Sequence, residues 1–373
     1  MKTLVISKPV YDYIMPLVEF PLDGDKFFIN NSINSLSGIG TLVSIIFAKY
    51  NIDVKFTGMV GEDYIGNKIK EILSSYKIDT SLIETSYTES TCKSYKIYNS
   101  KTNKFTSIEE NSLKTNLTKY KYEFIPDVIV MDDKDYGANL AALNNYPNAL
   151  HIFIGDKFTK ESSTYLNKCK YVICDIKFAS MATGVGNDLD KPKNIVNLFQ
   201  KYVDLYKSNL IIRLDNYDIL YCIEDEVRII KNINKNINNK ENVYYGVLSF
   251  FLSNNIDIEN SIKFTNKVML SSLNELDMIK NIPDVKLVYE CLENYKNNQN
   301  MNVQNNTNLD NINKENKQNI INNETVVNVE TNNSIVNSVE NTVNISQNNN
   351  SSQVETPILN KENNNGVNDV ERL

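Results

Sequence analysis

Histidine is almost missing from this sequence of 373 residues, which contains only His151. Hydrolase mechanisms of the Ser-His-Asp or Cys-His kind are therefore excluded unless they depend on that residue. His151 opens the apolar run His-Ile-Phe-Ile, and we interpret it as a structural histidine at a strand end. Five cysteines without Cys-x-x-Cys spacing, odd in number, are interpreted as buried free thiols of a reducing cytoplasm: Cys92, Cys169, Cys174, Cys222 and Cys291. With one histidine to join them, no metal site is expected.

Long apolar runs and an excess of basic residues are also absent. The apolar run within residues 1–7 is shorter than a signal peptide, and no later run approaches the length of a membrane span. A net charge of −7 and a pI of about 5.1 argue against nucleic-acid or anionic-membrane binding, because like charges repel. The sequence thus predicts a cytoplasmic protein with neither of these partners.

What the sequence does contain, over residues 1–295, is an alternation of short β-branched runs with helical patterns. This alternation is typical of βαβ units with a mainly parallel sheet. Residues 63–76 place Ile65, Ile69 and Leu73 on one helical face. Residues 88–110 instead alternate apolar and polar side chains, which predicts antiparallel strands exposed on one face. Together with residues 9–35 they are expected to form a small β lid.

The end of the chain differs sharply in composition. From about Lys296 onward the sequence is dominated by Asn, with Ser, Thr, Gln and Glu and almost no aromatic residues. Such a segment buries too little apolar surface to offset its ordering entropy. We therefore predict two regions, a folded domain over 1–295 and an Asn-rich disordered tail over 296–373.

Glycine is scarce, with 12 residues in all, so its placement is informative. Five fall within a short stretch that runs from before one helix to the start of the next: Gly38, Gly40, Gly58, Gly61 and Gly66. The order of a helix, a strand, the motif Gly-Met-Val-Gly-Glu-Asp-Tyr-Ile-Gly and an apolar helix resembles the PfkB, or ribokinase-like, carbohydrate kinases. The motifs around Thr183-Gly184 and Ile282-Pro283 resemble later motifs of the same family.

The resemblance covers residues 1–295 and implies a ribokinase-like three-layer α/β/α sandwich with a mainly parallel sheet and a β lid. It also implies phosphorylation of a sugar or nucleoside hydroxyl, with ATP and Mg²⁺ as cofactors if the protein is active, and it allows a homodimer through the lid. Asp12 matches the family aspartate that holds sugar hydroxyls, and Gly38 matches a sugar-contacting glycine. A solvated loop or N-cap carboxylate is the alternative for Asp12.

The same resemblance places the family's phosphate loop and catalytic aspartate near the start of a late helix. Here those positions carry Asn242, Val243, Tyr244 and Tyr245, followed by Gly246. Tyr245 stands in the place of the base, and a tyrosine with an ordinary pKa near 10 stays protonated at neutral pH. Glu241 is the alternative candidate for a displaced base.

Three further positions of the family pattern have changed. The sugar-binding asparagine falls on Leu42, and the Asn-x-x-Glu motif linked to magnesium falls on Asp175 and Phe178. The nucleotide turn falls on a stretch that brings carboxylates toward the phosphates: Arg213, Leu214, Asp215 and Asp218. We expect Arg213 to form a surface salt bridge, with anion binding as the alternative.

These changes lead to three hypotheses. The first is a PfkB-like protein with lost or strongly reduced phosphotransferase activity that still binds a ligand or partner. The second is an active sugar or nucleoside kinase with a diverged catalytic loop. The third is a scaffold or assembly protein.

Overall fold

The computed structural model describes residues 1–111, 113, 123–186, 192–232, 240–301 and 370–372. The strands within these ranges are β1 Lys2–Ile6, β2 Val10–Leu17, β3 Ile33–Ser37, β4 Asp53–Gly61, β5 Asp79–Ser86, β6 Lys93–Asn99, β7 Lys104–Glu110, β8 Val128–Asp132, β9 Leu150–Gly155, β10 Tyr171–Asp175, β11 Asn209–Arg213, β12 Ile219–Ile223, β13 Glu226–Ile230 and β14 Val370–Arg372. The α-helices are α1 Ile39–Lys49, α2 Tyr64–Ser75, α3 Tyr136–Asn145, α4 Ile176–Thr183, α5 Pro192–Tyr206, α6 Glu241–Ser253, α7 Ile258–Met269 and α8 over 285–301.

Ten strands form the main sheet, in the order β14-β13-β12-β11-β10-β9-β8-β1-β4-β5. In this sheet the adjacent strands β11, β10, β9, β8, β1, β4 and β5 are parallel to one another. The strands β12, β13 and β14 are antiparallel to their neighbours. The parallel strands need long crossovers, which the helices supply, whereas short turns suffice for β12 and β13. The predicted α/β class and mainly parallel sheet are confirmed.

Helices cover both faces of this sheet. Leu4 and Ile6 of β1 belong to a buried apolar cluster that includes residues of α3, α4 and α5. Val5 points the other way, toward α1, because successive strand residues face opposite sides. A Cβ added to Gly40 of α1 would lie 3.1 Å from Val5 Cγ1. This arrangement confirms the expected three-layer sandwich.

On the α1 face, α1 and α6 approach each other closely. A Cβ on Gly246 would lie 2.4 Å from Ile46 Cδ1, so only glycine fits there without displacing that side chain. Phe250 of α6 packs edge-on against Phe47 of α1 and against Tyr50, which follows α1, with ring centroids 5.8 and 4.9 Å apart. Gly246 is thus part of the packing of α6 against α1.

A second sheet of four strands, in the order β3-β2-β6-β7, forms the predicted lid. The pair β6·β7 is antiparallel, which confirms the prediction for residues 88–110. The pair β2·β3 is also antiparallel, whereas β2 and β6 run parallel. Alternation of apolar and polar residues indicates exposure on one face, and the direction of the pairing between β2 and β6 was not predicted from it.

The ends of several elements differ from the sequence predictions. Strand β5 was not predicted. Helix α8 passes the predicted boundary at 295 and is described to residue 301. At the C-terminus, β14 pairs with β13, although disorder was predicted there. Residues 302–369 lie outside the described ranges, so the tail prediction stays a prediction for them.

By proximity of Cα atoms the chain divides into two units, Met1–Leu292 with Asn368–Leu373, and Glu293–Val367. The first holds both sheets; of the second, the structure describes the helical residues 293–301.

His151 is buried in β9, and its burial lowers the pKa to about 4, which keeps the ring neutral. Every cysteine is free, but Cys222 is only half-buried. No helix in the described ranges is both long and apolar enough to cross a membrane.

Candidate functional site

Asp12 lies at the centre of the lid, on the face turned toward the main sheet. Its carboxylate is 1% exposed, and both oxygens have donors within the protein. Ser37 Oγ donates to Oδ1 at 2.6 Å, and Lys96 Nζ lies 2.5 Å from Oδ2. Burial raises the pKa of Asp12, and Lys96 opposes that rise. The alternative of a solvated loop carboxylate is wrong, and a ligand hydroxyl has to compete with Lys96 for this carboxylate.

Below the lid is a pocket of about 210 Å³. We call it the lid pocket, and its wall includes Lys8, Gly38, Ser94, Asp132, Lys134 and Asn242. These residues come from the connection after β1, the start of α1, strand β6, the end of β8 and the start of α6. The carboxyl ends of parallel strands and helix N-termini therefore meet here, where ligands bind in open α/β sheets.

Gly38 shapes one side of this pocket. It precedes α1 with φ of 96°, a conformation that favours glycine, and a Cβ would lie 3.0 Å from the carbonyl oxygen of Lys8. Gly38 leaves α1 without a side-chain cap. Leu42 is fully buried one turn later, so it contributes packing at the family's asparagine position and no polar contact.

Asp132 is a pocket residue that the sequence analysis missed. It ends β8, and it accepts hydrogen bonds from Ser7 Oγ at 2.5 Å and from the Lys134 backbone N–H at 3.1 Å. Burial, with the nearby charge of Asp133, raises the pKa of Asp132 to about 7. The available signal was its place at the carboxyl end of an apolar run.

The start of α6 contributes little to the lid pocket. Of the predicted phosphate-loop positions, Asn242 is part of the pocket wall. Val243 and Tyr244 are fully buried, and Tyr244 donates from its hydroxyl to Asn266 Oδ1 at 2.8 Å. These two positions therefore form part of the core, while Gly246 packs on α1 as described above.

Tyr245 and Arg213 are joined in a buried cluster. Arg213 is 9% exposed, its Nε donates to the Tyr245 hydroxyl at 2.9 Å, and its Nη1 donates to the Leu214 carbonyl at 2.9 Å. The guanidinium also stacks over Tyr217, 4.9 Å from the ring centroid. The expected surface salt bridge of Arg213 is therefore wrong. Burial raises the pKa of Tyr245, so the phenol stays protonated.

Glu241 belongs to the same cluster. The Tyr217 hydroxyl donates to Glu241 Oε1 at 2.7 Å, and Glu241 is not part of the lid-pocket wall. A general base must reach the proton that it abstracts in a bound substrate. The contact with Tyr217 therefore gives Glu241 a structural role. It does not support the alternative that Glu241 is a displaced catalytic base.

The other altered positions also have structural roles. Asp175 caps α4 by accepting from the Phe178 backbone N–H at 2.8 Å, and Phe178 is buried against Gly155. Asp218 accepts from the Asn232 backbone N–H at 2.7 Å. Among the described residues no group of three or more His, Cys, Asp or Glu side chains is arranged to hold a metal ion. The side chains present at these positions therefore do not fit Mg²⁺ or nucleotide phosphates.

Comparison with solved structures identifies the architecture. Ribokinase from Arabidopsis thaliana, solved with ribose and ATP, is 14% identical over 78% of this chain and 98% of its own, with a TM-score of 0.63. Ribokinase from Thermotoga maritima is 15% identical over 78% and 99%, with a TM-score of 0.64. A nucleoside kinase from Methanocaldococcus jannaschii is 16% identical over 79% and 99%, with a TM-score of 0.63. The chain therefore has the ribokinase-like fold.

Sequence comparisons add nothing to this result. No protein-family model matches the chain, and no curated protein matches it. The glycine-containing motifs thus predicted correctly a fold that sequence comparison does not detect and structural comparison does.

Proposed function

We propose that this protein binds a small polyhydroxylated ligand, a sugar or nucleoside, in the lid pocket, and that its phosphotransferase activity is lost or strongly reduced. The observation that carries the proposal is the Tyr245 phenol, hydrogen-bonded to Arg213 at the position where the resemblance expects a catalytic aspartate. The neighbouring pocket keeps its polar wall.

The loss of transfer is supported by the chemistry that phosphoryl transfer requires. A positioned base takes the hydroxyl proton, and backbone amides with Mg²⁺ stabilise the charge that spreads over the transferred group. Here the base position holds a protonated phenol, and Val243 and Tyr244 are buried in the core. ATP and Mg²⁺ are therefore not cofactors in this proposal.

Retained binding is supported by the lid pocket itself. Ligand sites combine a concave surface with a few polar groups that fix the ligand's orientation. Lys96 beside Asp12 and the Ser94 hydroxyl provide donors, and the Asp132 carboxyl group provides acceptor oxygens, in the wall of one pocket. Asp12 acts through Lys96, because its own oxygens are already hydrogen-bonded.

The test combines turnover with binding. The full chain is assayed for ATP-dependent phosphorylation over a panel of sugars and nucleosides, and the same panel is titrated calorimetrically. We expect binding without turnover, and a rate of about 1 per second or more, as in ordinary enzymes, would overturn the proposal. Asp12→Asn should weaken binding, whereas Asp25→Asn, on an exposed turn, should not.

A second candidate function, assembly through the lid, has its own observation. The outer lid face carries Tyr13, Tyr95 and Ile108 side by side in register, with the two tyrosine rings stacked 5.4 Å apart and Ile108 65% exposed. An apolar row of this kind suits a second copy of the chain. Light scattering of Ile108→Asp against the wild type tests this dimer, and equal masses for the two proteins would argue against it.

The compartment is part of the proposal too. Free thiols in every described cysteine fit a reducing environment such as the cytoplasm. Fractionation of cells that produce the full chain would test this assignment.

A further inference from the structure

We infer that the ligand of the lid pocket is anionic, a polyol that carries a phosphate or carboxylate group, and that Lys8, Ser94 and the first turn of α1 bind this group. The inference rests on the proposed function, since it names the class of ligand for the same pocket. It follows from the polar groups that remain after the pairs within the pocket wall are set aside.

Most charged groups of the wall have partners of opposite charge. Lys96 pairs with Asp12 at 2.5 Å, Lys93 with Glu110 at 3.0 Å, and Lys134 with Asp156 at 2.8 Å. The two Asp132 oxygens accept from Ser7 and from the Lys134 backbone. These contacts leave few acceptors for a ligand's hydroxyl groups.

The remaining groups are mainly donors. Lys8 Nζ bonds to the neutral amide oxygen of Asn111 at 2.6 Å, and no described carboxylate forms an ion pair with it. Ser94 lines the pocket, is 1% exposed, and its Oγ has no partner in the described structure. A buried hydroxyl without a partner is costly, which indicates that something else completes its hydrogen bond.

The first turn of α1 adds backbone donors to the same wall. Gly38 and Ile39 line the pocket, and no side chain within the described ranges caps this eleven-residue helix. Thr41 Oγ1, in the same turn, is also buried without a partner and lies 3.4 Å from where a Cβ on Gly38 would stand. Free N–H groups with the positive end of the helix dipole favour an anion.

Two carboxyl groups of the wall oppose this set. Asp132 is buried, its described hydrogen-bond donors are neutral, and its pKa of about 7 leaves it partly charged at neutral pH. Glu109 is exposed at the end of β7, and water screens an exposed carboxylate, so its repulsion of an anion is weak. We therefore assign the sign of the ligand to the Lys8 ammonium and the free N–H groups of α1.

The experiment titrates the full chain calorimetrically with ribose, ribose 5-phosphate, gluconate and inorganic phosphate, at 50 and 500 mM NaCl. We expect ribose 5-phosphate or gluconate to bind at least tenfold more tightly than ribose, and the two anionic probes distinguish phosphate from carboxylate recognition. High salt should reduce the difference in affinity between the anionic probe and ribose, because salt screens part of the attraction between the anion and the pocket. Ribose affinity should hardly change with salt.

Variants assign the contact. Lys8→Met should abolish the preference for the anionic probe, whereas Lys8→Arg should keep the preference. Lys104→Met, an exposed lysine outside the pocket wall, is the matched control. Should Lys8→Met fail to fold, Lys8→Arg and the salt series still decide.

The outcomes separate the two proposals. Ribose binding equal to or tighter than both anionic probes would overturn the anionic ligand and leave the proposed function standing. If inorganic phosphate bound as tightly as ribose 5-phosphate, the anion site would be supported, and the inference that the ligand is a polyol would be contradicted. No binding of any of these four probes would overturn the anionic ligand, and the wider panel of sugars and nucleosides would then decide the proposed function.

Discussion

In the lid pocket, polar side chains from β6, β8 and the connection after β1 surround a space of about 210 Å³, and the buried Ser94 hydroxyl among them has no partner in the described structure. Around Tyr245, the comparable polar groups bond to one another. Arg213 donates to Tyr245, and Tyr217 donates to Glu241. A cavity with unused donors is suited to a ligand, whereas a closed set of buried polar groups is suited to stability.

The contrast supports the proposed loss of phosphotransferase activity on a ribokinase-like scaffold. Where the resemblance expects an aspartate, Tyr245 has a large ring, which Arg213 contacts from the end of β11. Tyr245 is buried and is not part of the lid-pocket wall. The two regions should therefore respond differently to substitution.

The largest expected effect is the loss of stability on Tyr245→Ala. The change removes the ring and the hydrogen bond at 2.9 Å, and it leaves the Arg213 guanidinium buried without that acceptor. We expect the free energy of unfolding in urea to fall by about 3–5 kcal/mol. Arg213→Met with Tyr245→Phe should recover most of this loss, because no buried charge remains unpaired. A loss below about 1 kcal/mol for Tyr245→Ala would contradict the closed cluster.

A pH-dependent effect is expected next, at Asp132 in the pocket. Its folded-state pKa of about 7 lies above the ordinary 3.8, so the folded protein binds this proton more tightly. The resulting stability is complete below about pH 4 and is lost as the pH rises through 7. Relative to Asp132→Asn, the wild type should lose about 2–3 kcal/mol between pH 5 and pH 8.

The measurement for Asp132 is urea denaturation of both proteins at several pH values. Comparing differences removes the contribution of Asp63, whose lowered pKa acts in the opposite direction at low pH. Asp156→Asn is the control, since that carboxylate is exposed at the same end of the sheet. Parallel pH profiles for wild type and Asp132→Asn would show that Asp132 is charged in both states.

A smaller effect is expected for the pair Asp12 and Lys96. Their contact at 2.5 Å is largely shielded from water, whereas Lys101 and Glu19 form an exposed pair at 3.5 Å. In double-mutant cycles with Asp12→Asn and Lys96→Met we expect a coupling of about 1–2 kcal/mol. The exposed pair should give about 0–0.5 kcal/mol. Equal couplings would mean that the lid face over the pocket is open to solvent.

Much of the fold could be predicted from the sequence, because it depends on periodic patterns. The alternation of apolar runs located β1, β4 and β8 to β13, and the face of Ile65, Ile69 and Leu73 located α2. Strand β5 was missed, since Asp79 to Ser86 carries polar residues at most positions and only Ile83 is buried. This segment is a strand because it pairs with β4, and that pairing is a tertiary contact that the local sequence does not show.

The candidate site was less predictable. Motif alignment located Asp12, Gly38 and Tyr245 but could not show what each contacts. Lys96 and Asp132 lie 84 and about 120 residues from Asp12 in the chain, and only the folded sheets bring such residues to one pocket. Arg213 was assigned to the surface because a charged residue is rarely buried, and its contacts with Tyr245 and Tyr217 overturn that default.

The smallest expected effect on stability is that of Ser94→Ala, and it separates the two regions most directly. Removing a buried hydroxyl that lacks a partner should leave the free energy of unfolding unchanged or raise it by less than about 1 kcal/mol. Ser249→Ala in α6 is matched to it, since Ser249 Oγ is equally buried and has no described partner, yet it is not part of the pocket wall. Both variants should therefore be similar in stability, while only Ser94→Ala should weaken ligand binding, by about threefold to tenfold. If both variants bound the ligand as tightly as the wild type, the Ser94 hydroxyl would be a packing defect like that of Ser249, and the lid pocket would lose one of its three proposed contacts with an anion.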